Sequence, residues 1–155
     1  MNQDDTPSDG QRIMALEHVL YEIKMFVALP AVTDNELISN CLTEAFLLHA
    51  RVLCDFFQKK RHKDDIVCED YEFQRSSLHI DEDIEVRFDK CLAHVTYSRC
   101  RFTNDTKAWL LEHFRPPLLR RIAAFLEHLV SQSTLALKAT DLADARATLQ
   151  IVRAS

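Results

Sequence analysis

The chain has 155 residues, 47% of them apolar and 28% charged, with a net charge of −5. That is one domain's worth of sequence with enough apolar side chains to form a core, which excludes a disordered chain, and its acidic balance speaks against a dedicated nucleic-acid binder, whose domain or face is ordinarily basic. A single glycine, Gly10, stands where average usage of about 7% gives roughly eleven, so glycine-rich phosphate loops and the tight hairpins of antiparallel sheets are excluded as well.

Residues 1–8 are polar and read as a frayed end. A first helix begins near Asp9 and stops before Pro30, because the residue preceding a proline is driven out of helical geometry. Its apolar positions Ile13, Leu16, Leu20, Ile23 and Val27 recur at three and four, and Val19 and Phe26 widen the stripe. A second helix, capped by Thr33 or Asp34, runs to about Lys60. It carries one stripe of Ile38, Leu42, Ala45, His49, Val52 and Phe56, and a neighbouring one of Leu37, Cys41, Glu44, Leu48, Arg51 and Asp55. Two such stripes predict a wide buried face and a central position.

Residues 62–80 lack periodicity, with a short helix expected at 64–71; a connection of this length is often functional or mobile. Asp81 or Asp83 opens a third helix that turns Ile84, Phe88, Cys91, Leu92, Val95 and Phe102 inward. Asn104 or Asp105 caps a fourth, containing Trp109, Leu110 and Phe114. Pro116 and Pro117 end it and suit the first turn of a fifth, which carries Leu119, Ile122, Ala123, Leu126, Leu129 and Val130. The last stretch is Ala-rich and weakly amphipathic. The expected organisation is a frayed end at 1–8, a helical bundle domain at 9–133 and a short helix or tail at 134–155. The fold class is all-α, an up-down bundle of four to five helices.

Two places put charge on apolar stripes, where unpaired charge is expensive. On the second helix His49 sits mid-stripe, beside a line of alternating charge formed by Glu44, Arg51 and Asp55. On the third, Arg99 falls on the inward stripe, with His94 at its margin and Thr96 between them. If the two stripes face each other, these groups form one cluster. It would bind an anion, act as an acid–base pair, or fix the helix register. Lys59, Lys60, Arg61 and Lys63, and the group Arg115, Arg120 and Arg121, either contact phosphates or serve structure.

Cys41, Cys54, Cys68, Cys91 and Cys100 are odd in number and lack zinc-knuckle spacing, so reduced structural thiols in a cytosolic protein are expected. His62, His79, Glu69 and Asp70 show no ligand spacing, so no metal is expected, and no motif calls for a cofactor. No leader-like segment opens the chain and no uncharged run reaches 18 residues, which predicts a cytoplasmic protein with no membrane partner.

The stretch Glu44-Ala45-Phe46, His49-x-Arg51, Leu53-x-Asp55-Phe56-Phe57, followed downstream by His94-Val95-Thr96 and Arg99, resembles bacterial helical proteins related to HEPN domains, over residues 37–99. The resemblance implies a helical bundle that is often dimeric, in a group that includes RNA-cleaving toxins, phage-defence effectors and nucleotide-modification partners. That group's ribonucleases carry an arginine and, after four to six intervening residues, a histidine. Arg87 and His94 fit this spacing, as do Arg12 with His18 and Arg121 with His128; Phe88 stands where the family has a polar residue.

Three expectations follow. The first is an RNA- or nucleotide-directed module, a metal-independent ribonuclease or a defence or toxin–antitoxin protein. In it His94 or His49 takes the proton of a 2′-hydroxyl, and Arg51, Arg87 or Arg99 holds the phosphate. The second is a non-enzymatic homodimeric scaffold, pairing through Trp109, Phe114 and the Ala-rich tail. The third is a regulatory pocket for a small anion or nucleotide between the second and third helices.

Overall fold

The computed structural model of the chain describes residues 6–29, 33–80, 82–88, 92, 109 and 111–154. Helix α1 spans Asp9–Ala28. Ser8 starts it with a capping box, in which its Oγ accepts from Gln11 N–H at 3.3 Å and Gln11 Oε1 accepts from Ser8 N–H at 2.9 Å. Leu29 leaves the helix in an extended conformation ahead of Pro30, and the buried face is Leu16, Val19, Leu20, Ile23 and Phe26.

Helix α2 spans Glu36–Gln58. Its cap is Asn35, one residue beyond the expected Asp34, with Oδ1 accepting from Ile38 N–H at 3.1 Å. Its buried face also differs from expectation. Phe46, Ala50, Leu53 and Phe57 form the centre, flanked by Leu47 and Cys54 on one side and His49 and Phe56 on the other. The first expected stripe therefore only edges the core, and the second points away from it. At roughly 100° per residue, positions such as Leu48 and Asp55 lie about half a turn from Phe46 and Leu53.

Between α2 and the next long helix runs a long connection, whose described residues include a 3-10 turn at Cys68–Tyr71, helix α3 at Glu82–Arg87 and a second 3-10 turn at Leu111–His113. Most of the expected fourth helix, Asn104, Asp105 and Leu110 included, lies outside the described residues; Leu111–His113 form the second turn and Phe114 is buried as the cap of the next helix. The first part of the connection is firmly anchored. Arg61 pairs with the buried Asp70, Leu78 N–H donates to Gln58 Oε1 at 2.8 Å, and Tyr71 Oη donates to the Arg12 carbonyl at 3.1 Å. Lacking glycine, its left-handed positions are filled by Lys63, Glu72 and His79.

Helix α4 spans Arg115–Ser131, with both prolines in its first turn and Leu118, Ile122, Phe125, Leu126 and Leu129 buried. Helix α5 spans Ala139–Ala154. Ala145, Leu149 and Val152 join the core cluster, so this C-terminal helix packs into the bundle. Among the described residues there is no strand.

The four long helices form a ring in the order α2, α1, α5, α4, with α2 diagonal to α5. The short connections join the antiparallel pairs α1–α2 and α4–α5. The long one joins parallel helices, since Phe46 meets Phe114 while Phe56 and Phe57 meet Phe125. Helices α1 and α5 also run parallel, lashed by Lys138–Glu17 and Lys24–Asp144. By length and composition α2 alone among the described residues could cross a membrane; here its apolar centre packs on α1 and α4.

Candidate functional site

Of the polar residues expected to converge, those on α2 lie on different sides of that helix. His49 is buried in the α1–α2 seam, where its Nδ1 lies 2.6 Å from Glu22 Oε2 and its ring meets the edge of Tyr21. A carboxylate from α1 thus supplies what a buried imidazole needs. Glu44 is exposed on the outward side. Arg51 and Asp55 lie near it, on the flank toward α3, and Asp55 pairs with Lys59 at 2.8 Å. Arg87 lays its guanidinium 4.1 Å from the centre of the Trp109 ring, which in turn stacks on Phe88 at 5.4 Å. His94, Thr96 and Arg99 lie outside the described residues, as do Cys91 and Cys100.

Arg51 and Asp55 are the two expected site residues that share an open groove, of about 420 Å³. Lys59, Arg75, Ser76 and Ser77 line it too, and so does Glu85 of α3, which accepts a hydrogen bond from Gln58 at 3.0 Å. Arg75 also reaches Glu69 at 3.3 Å. Three cations, two acids and two hydroxyls can hold an anionic group. They offer no evident nucleophile: burial pushes the Cys54 thiol on the groove wall far above its usual range, so it stays protonated at neutral pH. Burial likewise lifts the Cys68 thiol to about 11. Among the described residues no group of three His, Cys, Asp or Glu side chains could hold a metal ion. Asp70 and Glu69 are instead engaged by Arg61 and Arg75.

A second feature of α2 was not anticipated. Leu37, Ile38, Leu48 and Val52 are exposed at 73%, 49%, 48% and 41%, and Cys41 is exposed beside them. Ile38, Cys41, Ala45, Leu48 and Val52 follow one another at alternating intervals of three and four, the spacing of a coiled-coil seam. In sequence the same intervals continue to Asp55 within the helix and to Asp34 and Lys59, which flank it just before and just after its ends. Tyr21 of α1, also exposed, adjoins it through His49. The sequence signal was the very pair of stripes that suggested a wide core. The described long helices packed on α2, α1 and α4, meet its inner side, and these apolar side chains stay exposed. Comparison of the chain with protein-family models, curated proteins and solved structures finds no match.

Proposed function

We propose that the chain is a non-enzymatic interaction module that pairs with a second copy of itself through the outward seam of α2. The observation that carries this reading is the seam's symmetry. Positions 34, 38, 41, 45, 48, 52, 55 and 59 read the same from either end. Two copies packed antiparallel about a two-fold axis between 45 and 48 therefore keep register, with apolar pairs at the centre and Ile38 facing the partner's Asp55 toward each end. Cys41 meets the partner's Val52, and Ala45 meets the partner's Leu48. Beyond the helix ends Asp34 comes near the partner's Lys59, which already pairs with its own Asp55, an attractive arrangement of charge. Antiparallel helices also oppose their dipoles favourably.

The apolar part of the seam, from Ile38 to Val52, is roughly 21 Å long at 1.5 Å per residue. With Tyr21 beside it, this gives a contact at the small end of specific interfaces, near 1,000 Å² in total as an order of magnitude. The association belongs to the weak, concentration-dependent class. Sedimentation equilibrium from low micromolar to near-millimolar protein tests it. The wild type is expected to shift from monomer to dimer, and Leu48→Glu to stay monomeric with an unchanged melting temperature, because Leu48 contributes little to the core. A wild type that is monomeric throughout rejects the reading.

A second reading is supported by Arg51, Lys59 and Arg75 around one groove: a regulatory site for a nucleotide or an RNA phosphate, the class that the HEPN resemblance implies. A ligand of the native state raises its melting temperature by mass action. Nucleoside mono- and triphosphates should then stabilise the wild type and have a smaller effect on Arg51→Gln. The absence of any shift with these ligands removes this reading.

A further inference from the structure

The flank formed by α4 and α5, across the ring from the α1–α2 side, carries an open groove of about 600 Å³. Arg115, Leu119, Arg120 and Ala123 of α4 and Val152 of α5 line it, with Glu112 as the one acid among the lining residues. The α4 positions recur on successive turns, so the groove follows that helix for roughly 12 Å.

Its charge is unbalanced. Arg115 Nε is buried without a hydrogen-bond partner, and among the described residues neither guanidinium is engaged by an acid. By contrast Arg61, Arg75 and Arg153 each pair with a carboxylate. The start of α4 sharpens the imbalance. Its first turn has no acidic residue and its cap, Phe114, makes no side-chain hydrogen bond, yet Arg115 stands at the end of the helix that favours negative charge. In a molecule of net charge −5, two arginines over an apolar floor with no acidic partner among the described residues are a local inversion.

We infer that this groove docks an acidic segment of a partner protein, one that sets carboxylates against Arg115 and Arg120 and apolar side chains on Leu119, Ala123 and Val152. Arginine suits this role because its planar fork takes a carboxylate through two parallel hydrogen bonds. The groove is open along its length and contacts an occupant on one face only. Its length matches two turns of an amphipathic helix, a recurrent way for helices to recognise helices. Because α5 is diagonal to α2, the groove stays accessible when the α2 seam is occupied.

The test is fluorescence anisotropy of the full chain with two labelled helical peptides, one built from Leu and Glu and one with Lys replacing every Glu. The Leu/Glu peptide is expected to bind, more weakly as salt is raised, and the Leu/Lys peptide is not. Arg115→Gln combined with Arg120→Gln should weaken binding at least tenfold, and Ala123→Trp, which fills the floor, should abolish it. If the double variant fails to fold, Arg120→Gln alone, at an exposed position, should still weaken binding several-fold. The inference is overturned if the Leu/Glu peptide does not bind, or if it binds the arginine variants as well as the wild type. It is also overturned if vesicles of phosphatidylserine and phosphatidylcholine capture the chain through these arginines while the peptide does not.

Discussion

His49 shows what one residue in a helix discloses and what it conceals. Its place among Ala45, Val52 and Phe56 marks it as a polar group on an apolar stripe, and the structure buries it. Its partner, Glu22, lies on another helix, and nothing in the local pattern of α2 selects it. Removing that partner leaves a buried imidazole without its acceptor, which typically costs about 1–3 kcal/mol. Urea denaturation of Glu22→Ala should show a loss of that size, and Glu22→Ala with His49→Ala should cost less than the two singles summed. Strict additivity would mean the pair is not coupled. Arg87 teaches the converse: its guanidinium lies on the Trp109 ring, a contact that its sequence spacing to His94 does not reveal.

At the scale of the helix, legibility followed punctuation and periodicity. Helices α1 and α4 were readable because prolines bound them and their apolar residues recur at three and four. Helix α5 was harder, since its alanines give only a shallow stripe and its core residues declare themselves by packing on α4 and α1. Part of its attachment is electrostatic. A hydrogen bond and charge from Lys138 hold the Glu17 carboxyl below its ordinary value of 4.5, and Glu17 raises Lys138 above 10.5. Hydrogen bonds from Thr134 likewise lower Glu72, which ties the turn before α5 to the long connection. A lowered carboxyl stabilises the fold fully above its ordinary value and loses that contribution as pH falls through its folded value. A raised lysine contributes below its ordinary value and loses that contribution as pH rises through its folded one. The melting temperature should therefore fall below pH 4.5 and above pH 10.5, and Lys138→Met should flatten both limbs relative to the wild type. Identical profiles for the two proteins would show that this lashing is inert.

For the molecule as a whole, the all-α bundle was open to reading because one glycine and repeated three-four spacing leave few other architectures. The direction of the helices was not: only the packing of Phe46 and Phe57 on α4 shows that the long connection returns the chain to run α4 parallel to α2. The candidate site was legible in its residues and not in its side. Apolar stripes about 100° apart on α2 fit either a broad core or a core plus a display face, and neighbouring helices decide between them. The most direct test of the displayed seam is a charge-reversal cycle read by sedimentation equilibrium. Asp34→Lys and Lys59→Asp should each weaken the dimer, and the chain carrying both should recover it, because the reversed pair meets again across the two-fold axis. Losses that simply add in the doubly reversed chain, or a wild type with no dimer to weaken, would contradict pairing through α2.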